Sequence, residues 1–134
     1  MSGIINTFND NRPLVLGNQV FETRVLTAAQ GALGAGTVLG VVTATGAMRV
    51  TAIANGDGSQ VARMVLCHDV PNAVGTQNIP VLIGGTVNGD LLVFGAGEDM
   101  FDVVAATKLI HRDSLRANGI MAVHGDELLA WDNT

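Results

Sequence analysis

Between Ala35 and Val70 the chain alternates short β-competent runs with glycines, and this punctuation limits what it can fold into more than any other feature. The order is Gly36-Thr37-Val38-Leu39-Gly40, Val42-Thr43-Ala44-Thr45-Gly46, the polar turn Asp57-Gly58-Ser59-Gln60, then Ala62-Arg63-Met64-Val65-Leu66 closing on Asp69-Val70. Runs this short, rich in Val and Thr and interrupted this often, read as strands and turns and not as helix.

The same reading extends along the chain. Thr37 to Thr43 and Ala47 to Ile53 form a hairpin around Ala44-Thr45-Gly46, with the glycine in the positive-φ position. Asn55-Gly56-Asp57-Gly58 is the next turn, and further strands are expected at Val61 to Cys67, Val81 to Val87 and Leu91 to Phe94, the last two joined by Asn88-Gly89-Asp90. Upstream, Pro13-Leu14-Val15-Leu16 is a short β-competent segment whose proline suits an edge or a first strand position. Val20 to Leu26 alternates, and the face carrying Phe21 and Val25 is expected to be the buried one. A glycine- and alanine-rich joint, Ala28 to Gly36, follows. Ile120 to Val123 and Glu127 to Trp131 are two more strand candidates around His124-Gly125-Asp126. At 134 residues the chain is one domain. The fold class is mainly β with one helix (α+β), a small β-barrel or sandwich-like body.

One helix is expected, from near Asp99 to Asn118-Gly119. Asp99 can cap its first turn, with Glu98 and Asp102 adding negative charge where the helix dipole is positive. Met100, Val103, Val104, Thr107 and Ile110 recur at helical spacing as a core-facing stripe, and Gly119 supplies a left-handed stop. On such a helix Lys108, Arg112 and Arg116 fall at i, i+4 and i+8 as a basic stripe, a solvated face or a dock for an acidic patch on a partner.

Composition narrows the function classes. Hydrophobic residues make up 48% and charged residues only 14%, against about 25% in a typical soluble domain. Surplus apolar surface is normally covered, which points to a constitutive interface. A formal net charge of −5 and a pI near 4.8 remove the electrostatic footprint of a nucleic-acid binder. Gly, Asn, Asp and Arg interrupt every apolar run before membrane-spanning length, and the N-terminus lacks the basic and apolar regions of a secretory signal.

Chemical motifs fail on inspection. Gly34-Ala35-Gly36-Thr37-Val38-Leu39-Gly40 opens a strand, whereas a phosphate cradle follows a strand and opens a helix, and no P-loop lysine is present. Asn55, Asp57 and Ser59 alternate like a calcium loop, but Gln60 replaces the required glycine and Leu66 the bidentate glutamate. Cys67-His68-Asp69 holds triad residue types, yet in a strand His68 points away from the other two. Cys67, the single cysteine, reads as a small buried hydrophobe, and His68, His111 and His124 share no metal-ligand spacing. We therefore expect no enzyme activity and no cofactor or metal.

In residue order and spacing, the stretch opened on above resembles the head-decoration proteins of lambda-like tailed phages. The matching elements are the G-T-V-L-G-x-V-T-x-x-G hairpin at Gly36 to Gly46, the Asp57-Gly58-Ser59-Gln60 turn, the apolar strand ending in Asp69-Val70, and Gly84-Gly85-Thr86-Val87-Asn88. Together with the helical region they cover Ala32 to Val123. The resemblance implies a non-enzymatic virion protein, a homotrimer on the outer surface of an expanded icosahedral capsid that clamps major capsid protein subunits and is made in the host cytoplasm. It implies an extended N-terminal arm and joint over residues 1–30 and a single decoration body over 31–134. Ile4, Ile5, Phe8, Arg12, Pro13, Leu14, Val15 and Leu16 would then make the capsid contacts by added strand pairing. Lys108, Arg112 and Arg116 would be a partner-facing surface. No direct nucleic-acid or membrane contact is implied. A small phage tail or baseplate protein is the alternative, and residues from His124 to Thr134 run past the usual end of the family.

Overall fold

The computed structural model describes residues 14–27, 30–73, 77–105 and 107–124. Its strands are Val15–Leu26 (β1), Gly31–Leu33 (β2), Val38–Val41 (β3), Met48–Val50 (β4), Met64–Val65 (β5), Val70–Ala73 (β6), Gln77–Asn88 (β7), Val103–Val104 (β8), Leu109–Ile110 (β9) and Ile120–Val123 (β10). The α-helix is His111–Ala117 (α1). The fold is thus mainly β with a single helix, as the sequence pattern requires.

Strand pairing closes a ring. β1 runs antiparallel to β7, from Val15 opposite Val87 to Leu26 opposite Gln77, and meets β4 in parallel where Leu26 faces Met48. The β4–β3 hairpin, the β3–β5 pair and the contact of Val65 with Leu82 complete the circuit back to β7. β10 adds in parallel to the far end of β7, from Ile120 opposite Gly85 to Val123 opposite Asn88.

Because successive side chains point to opposite faces, this sheet carries a core on each side. Leu39, Met64 and Val81 lie on one face with Leu26, Met48, Leu66, Val70 and Ile79. Val38, Val65 and Leu82 lie on the other, covered by Phe94, Met100, Leu115 and Ile120. Each fully buried Leu or Val contributes roughly 1.5–3 kcal/mol, so both cores stabilise the body.

Four expectations need correction. The helix is confined to His111–Ala117. Upstream, Asp99 accepts from the Phe101 N–H at 2.8 Å and Asp102 from the Asp99 N–H at 2.7 Å, local bonds that compete with helix. Val103 and Val104 then pair with Ile110 and Leu109 as a short hairpin, with Lys108 left-handed at φ 61°. Gly119, at φ 95°, does supply the stop. Leu91 to Phe94 is no strand. Asn88 caps a 3-10 turn at Gly89–Leu91, leaving one bridge between Val93 and Thr37. The joint also contains β2, which pairs with β6. Finally, Phe21 is 49% and Val25 38% exposed, so the face expected inside is outside. Phe21 stands opposite buried Leu82, where the covering layer stops, and beyond it Pro80 and Asn78, opposite Thr23 and Val25, are exposed as well. The strand candidate at Glu127 to Trp131 lies outside the described residues.

The Asp57-Gly58-Ser59-Gln60 turn is a polar knot laid over β3. Arg49 Nη1 donates to Asp57 Oδ2 at 2.7 Å, the Ser59 hydroxyl and N–H both donate to Asp57 Oδ1, and Asn55 Nδ2 donates to Ser59 Oγ at 2.9 Å. Ser59 is fully buried, and its carbonyl crosses Gly40 so closely that a Cβ there would sit 2.3 Å from the oxygen. The Ser59 hydroxyl, then its N–H and Arg49, hold the Asp57 carboxyl down from 3.8 to about 2 against the opposing pull of burial.

Two outcomes follow. Gly40→Ala forces backbone against backbone and should lower unfolding free energy by about 2–3 kcal/mol in a denaturant titration. Gly17→Ala, with open space around it, should be near neutral. For Asp57, a carboxyl depressed in the folded state stabilises above the unfolded pKa and loses that contribution as pH falls through the folded one. Asp57→Asn should therefore cost about 1 kcal/mol at neutral pH, after allowance for solvent screening of a side chain nearly one third exposed. Paired unfolding curves should show the gap close between pH 3.8 and about 2.

Candidate assembly surface

β1 presents the largest uncovered apolar side chains of the ring. Val20, Phe21 and Val25 are all exposed, although β1 is hydrogen-bonded to β7 through most of its length. Irregular pairing at Gly17 to Phe21, with Asn18 at φ 55°, turns this end of the strand against Gly84 and Gly85. Across β7, Met121 of β10 is exposed at the Thr86 row. Asn18, Gly85, Thr86, Arg116, Ile120 and Met121 line a concavity of about 300 Å³ between these elements. Exposed apolar side chains such as Phe21 and Val25 are what a subunit or partner covers.

The arm candidates divide. Leu14 is half-buried, its carbonyl accepts from the Asn88 N–H at 2.8 Å, and with Val15 it packs against the second core. Leu16 is half-buried in β1. These three belong to the sheet's edge. Ile4, Ile5, Phe8, Arg12 and Pro13 lie outside the described residues.

The basic stripe is also rearranged. Arg112 and Arg116 are one turn apart on α1, whereas Lys108 stands before the helix beside the β8–β9 turn, so the three cations are no helical stripe. Arg116 pairs with Asp113 at 3.6 Å, and the Arg112 guanidinium lies 6.0 Å from the centre of the Phe101 ring. What fixes the helix is its buried first residue. His111 Nε2 lies 2.8 Å from Glu98 Oε1, and its ring stacks on Phe94 at 4.5 Å. Both Glu98 oxygens also accept from the Ile53 N–H, at 3.1 and 3.0 Å. Helix, Gly95–Gly97 turn and Ile53–Asn55 turn are therefore pinned through one carboxylate.

Burial pushes the Cys67 thiol up, so it stays protonated, and Asp69 accepts from the Ala35 N–H at 2.9 Å. Among the described residues no group of three or more His, Cys, Asp or Glu is placed to hold a metal ion. No described helix is long and apolar enough to cross a membrane.

The sequence model of the bacteriophage lambda head decoration protein D family matches residues 14–114, from the start of β1 into α1. The chain belongs to that family. Among curated proteins, no relative matches the chain. Membership in the head decoration family gives a structural, capsid-associated role in a phage virion and favours the head over the tail alternative. The exposed Phe21 face escaped sequence reading because Val20 to Leu26 carries apolar residues on both faces; that two-sidedness was the available signal.

Glu98→Ala should cost about 1–3 kcal/mol, since it strips the Ile53 N–H and buried His111 of their acceptor together. Thermal and denaturant unfolding would check it.

Proposed function

We propose that this head decoration protein binds the outer surface of an icosahedral phage capsid as a homotrimer, contacts the major capsid protein, and stabilises the DNA-filled head. The observation that carries the reading is the apolar face of β1 at Phe21 and Val25, left open in a chain of this family. Closed symmetry is the ordinary way for one patch to be covered by copies of the same chain. Residues 1–13 are assigned to the capsid, with Ile4, Ile5 and Phe8 as apolar contacts beside an added strand. Arg112 and Arg116 are a second partner-facing surface. Three linked arms raise one another's effective concentration, so contacts that are weak singly become durable together. Binding free energy that must be lost before neighbouring subunits separate then opposes the outward pressure of packaged DNA. The role is structural and non-enzymatic.

Imaging virions with and without the protein tests placement; regular protrusions at three-fold positions are expected, and density confined to the tail would overturn the assignment. Filled heads lacking the protein should release DNA at lower temperature, and equal thresholds at full occupancy would remove the stabilising role. Phe21→Glu, an exposed change, should leave monomer stability within about 0.5 kcal/mol. It should abolish trimers in light scattering and on capsids; unchanged assembly would exclude this face as the subunit contact.

A further inference from the structure

The two faces of β1 meet different surroundings. Glu22 and Arg24 stand opposite Val81 and Ile79 of β7, on the face whose core holds Met64, whereas Phe21 stands opposite Leu82 on the other. At the margin of the Met64 core, Glu22, Arg24, Arg63, Met64, Ile83 and Asn118 line a cup of about 180 Å³. Met64, buried, and Ile83, half-buried, supply its apolar part. Small-molecule pockets run to roughly 300–1,000 Å³, so a cup of this size suits a single side chain.

The charges around the cup do not cancel. Arg24 Nη1 donates to Glu22 Oε2 at 3.2 Å, which makes that pair neutral, and Asn118 Nδ2 donates to the Ser114 carbonyl at 2.9 Å. Across the Asn118–Gly119 turn, Arg116 is paired with Asp113 and adds no net charge either. Arg63 is different. It is exposed and makes no hydrogen bond or ion pair with any described residue. Its backbone is nonetheless fixed, since its N–H donates to the Leu39 carbonyl at 3.0 Å and the next residue, Met64, pairs with Leu39. A chain of net charge −5 thus holds one surplus guanidinium at a set position beside an apolar hollow. A guanidinium fork matches a carboxylate through two parallel N–H donors.

We propose that this cup receives an aspartate or glutamate side chain of the major capsid protein, with its carboxylate on Arg63 and its methylenes against Met64 and Ile83. The inference rests on the capsid binding proposed for this protein. A second copy of the chain is the poorer occupant, because the face assigned to subunit contact, at Phe21 and Val25, points away from Glu22 and Arg24 on the same strand.

Titration onto expanded capsids that lack the protein tests it. Arg63→Ala should need about ten-fold more protein for half occupancy at low salt, and the gap should narrow as salt screens the pair. Its circular dichroism and its light scattering in isolation should match those of the wild type. Arg63→Lys places an amine in the cup. A water-soluble carbodiimide should couple that amine to a capsid carboxylate as an amide, taking up the water as a urea, in a peptide that mass spectrometry identifies. Unchanged half occupancy with Arg63→Ala would overturn the proposal, as would a cross-link to a second copy. If Arg63→Ala does not fold, the cross-link decides, and its absence overturns the proposal. Wild-type protein that fails to bind capsids would overturn the capsid reading and this inference with it, whereas wild type and Arg63→Ala binding alike overturns this inference alone.

Discussion

Burial of β7 on both faces is the constraint on which the other elements depend. Ile79 and Val81 point into one core, Leu82 and Val87 into the other, and β3 repeats the arrangement with Leu39 and Val38. A sheet so composed needs a layer on each side. Curling the ring on itself supplies the first. The segment from Phe94 to Met100, with α1 and β10, supplies the second, and the Glu98 carboxylate locks that layer down by holding His111 and the Ile53 N–H together. The layer is short, however, and the Phe21 to Val25 stretch of β1 lies beyond its reach. Covering a Phe21 half exposed, at about 25 cal/mol per Å² and some 100 Å², contributes about 2 kcal/mol per protomer.

The glycines of the opening motif have a common physical cause. Gly36 combines φ 96° with a Leu91 carbonyl 2.3 Å from where a Cβ would stand, and Gly40 meets the Ser59 carbonyl in the same way. Both mark places where one backbone crosses another. Between them Thr37 bridges Val93, and Val38 donates to the Val93 carbonyl and accepts from the Thr51 N–H, so β3 is tied on both sides. Spacing within the Gly36 to Gly46 hairpin and its distance from the Asp57 turn are therefore linked through contact.

Local chemistry was legible in the sequence where a local interaction decides the conformation. The β3–β4 hairpin with Gly46 at φ 76°, the Asn55 to Gly58 turn, β10 and the stop at Gly119 all follow from residues within a few positions. The helix start was not legible. Asp99 and Asp102 serve as well in an Asx turn as in a cap, and Val103-Val104 fits a strand as readily as a helical stripe; the choice is made by Leu109 and Ile110 as pairing partners. The candidate surface was misread for a related reason. Alternation identifies two faces of β1, but which one is covered depends on how far a layer formed some ninety residues later extends, and no local signal carries that length.

The family match and the physical domain do not end together. Although the match stops at Ser114, Leu115, Ile120 and Ala122 are all essentially inaccessible and belong to the core over Val38, Val65 and Leu82. Val123 pairs with Asn88, and a Cβ at Gly89 would strike Met100 beside the Val123 carbonyl, so β10 and the Asn88–Leu91 turn are packed as one unit. Among the described residues the core over Leu82 is therefore completed by residues beyond the matched span, up to Val123 at the end of β10.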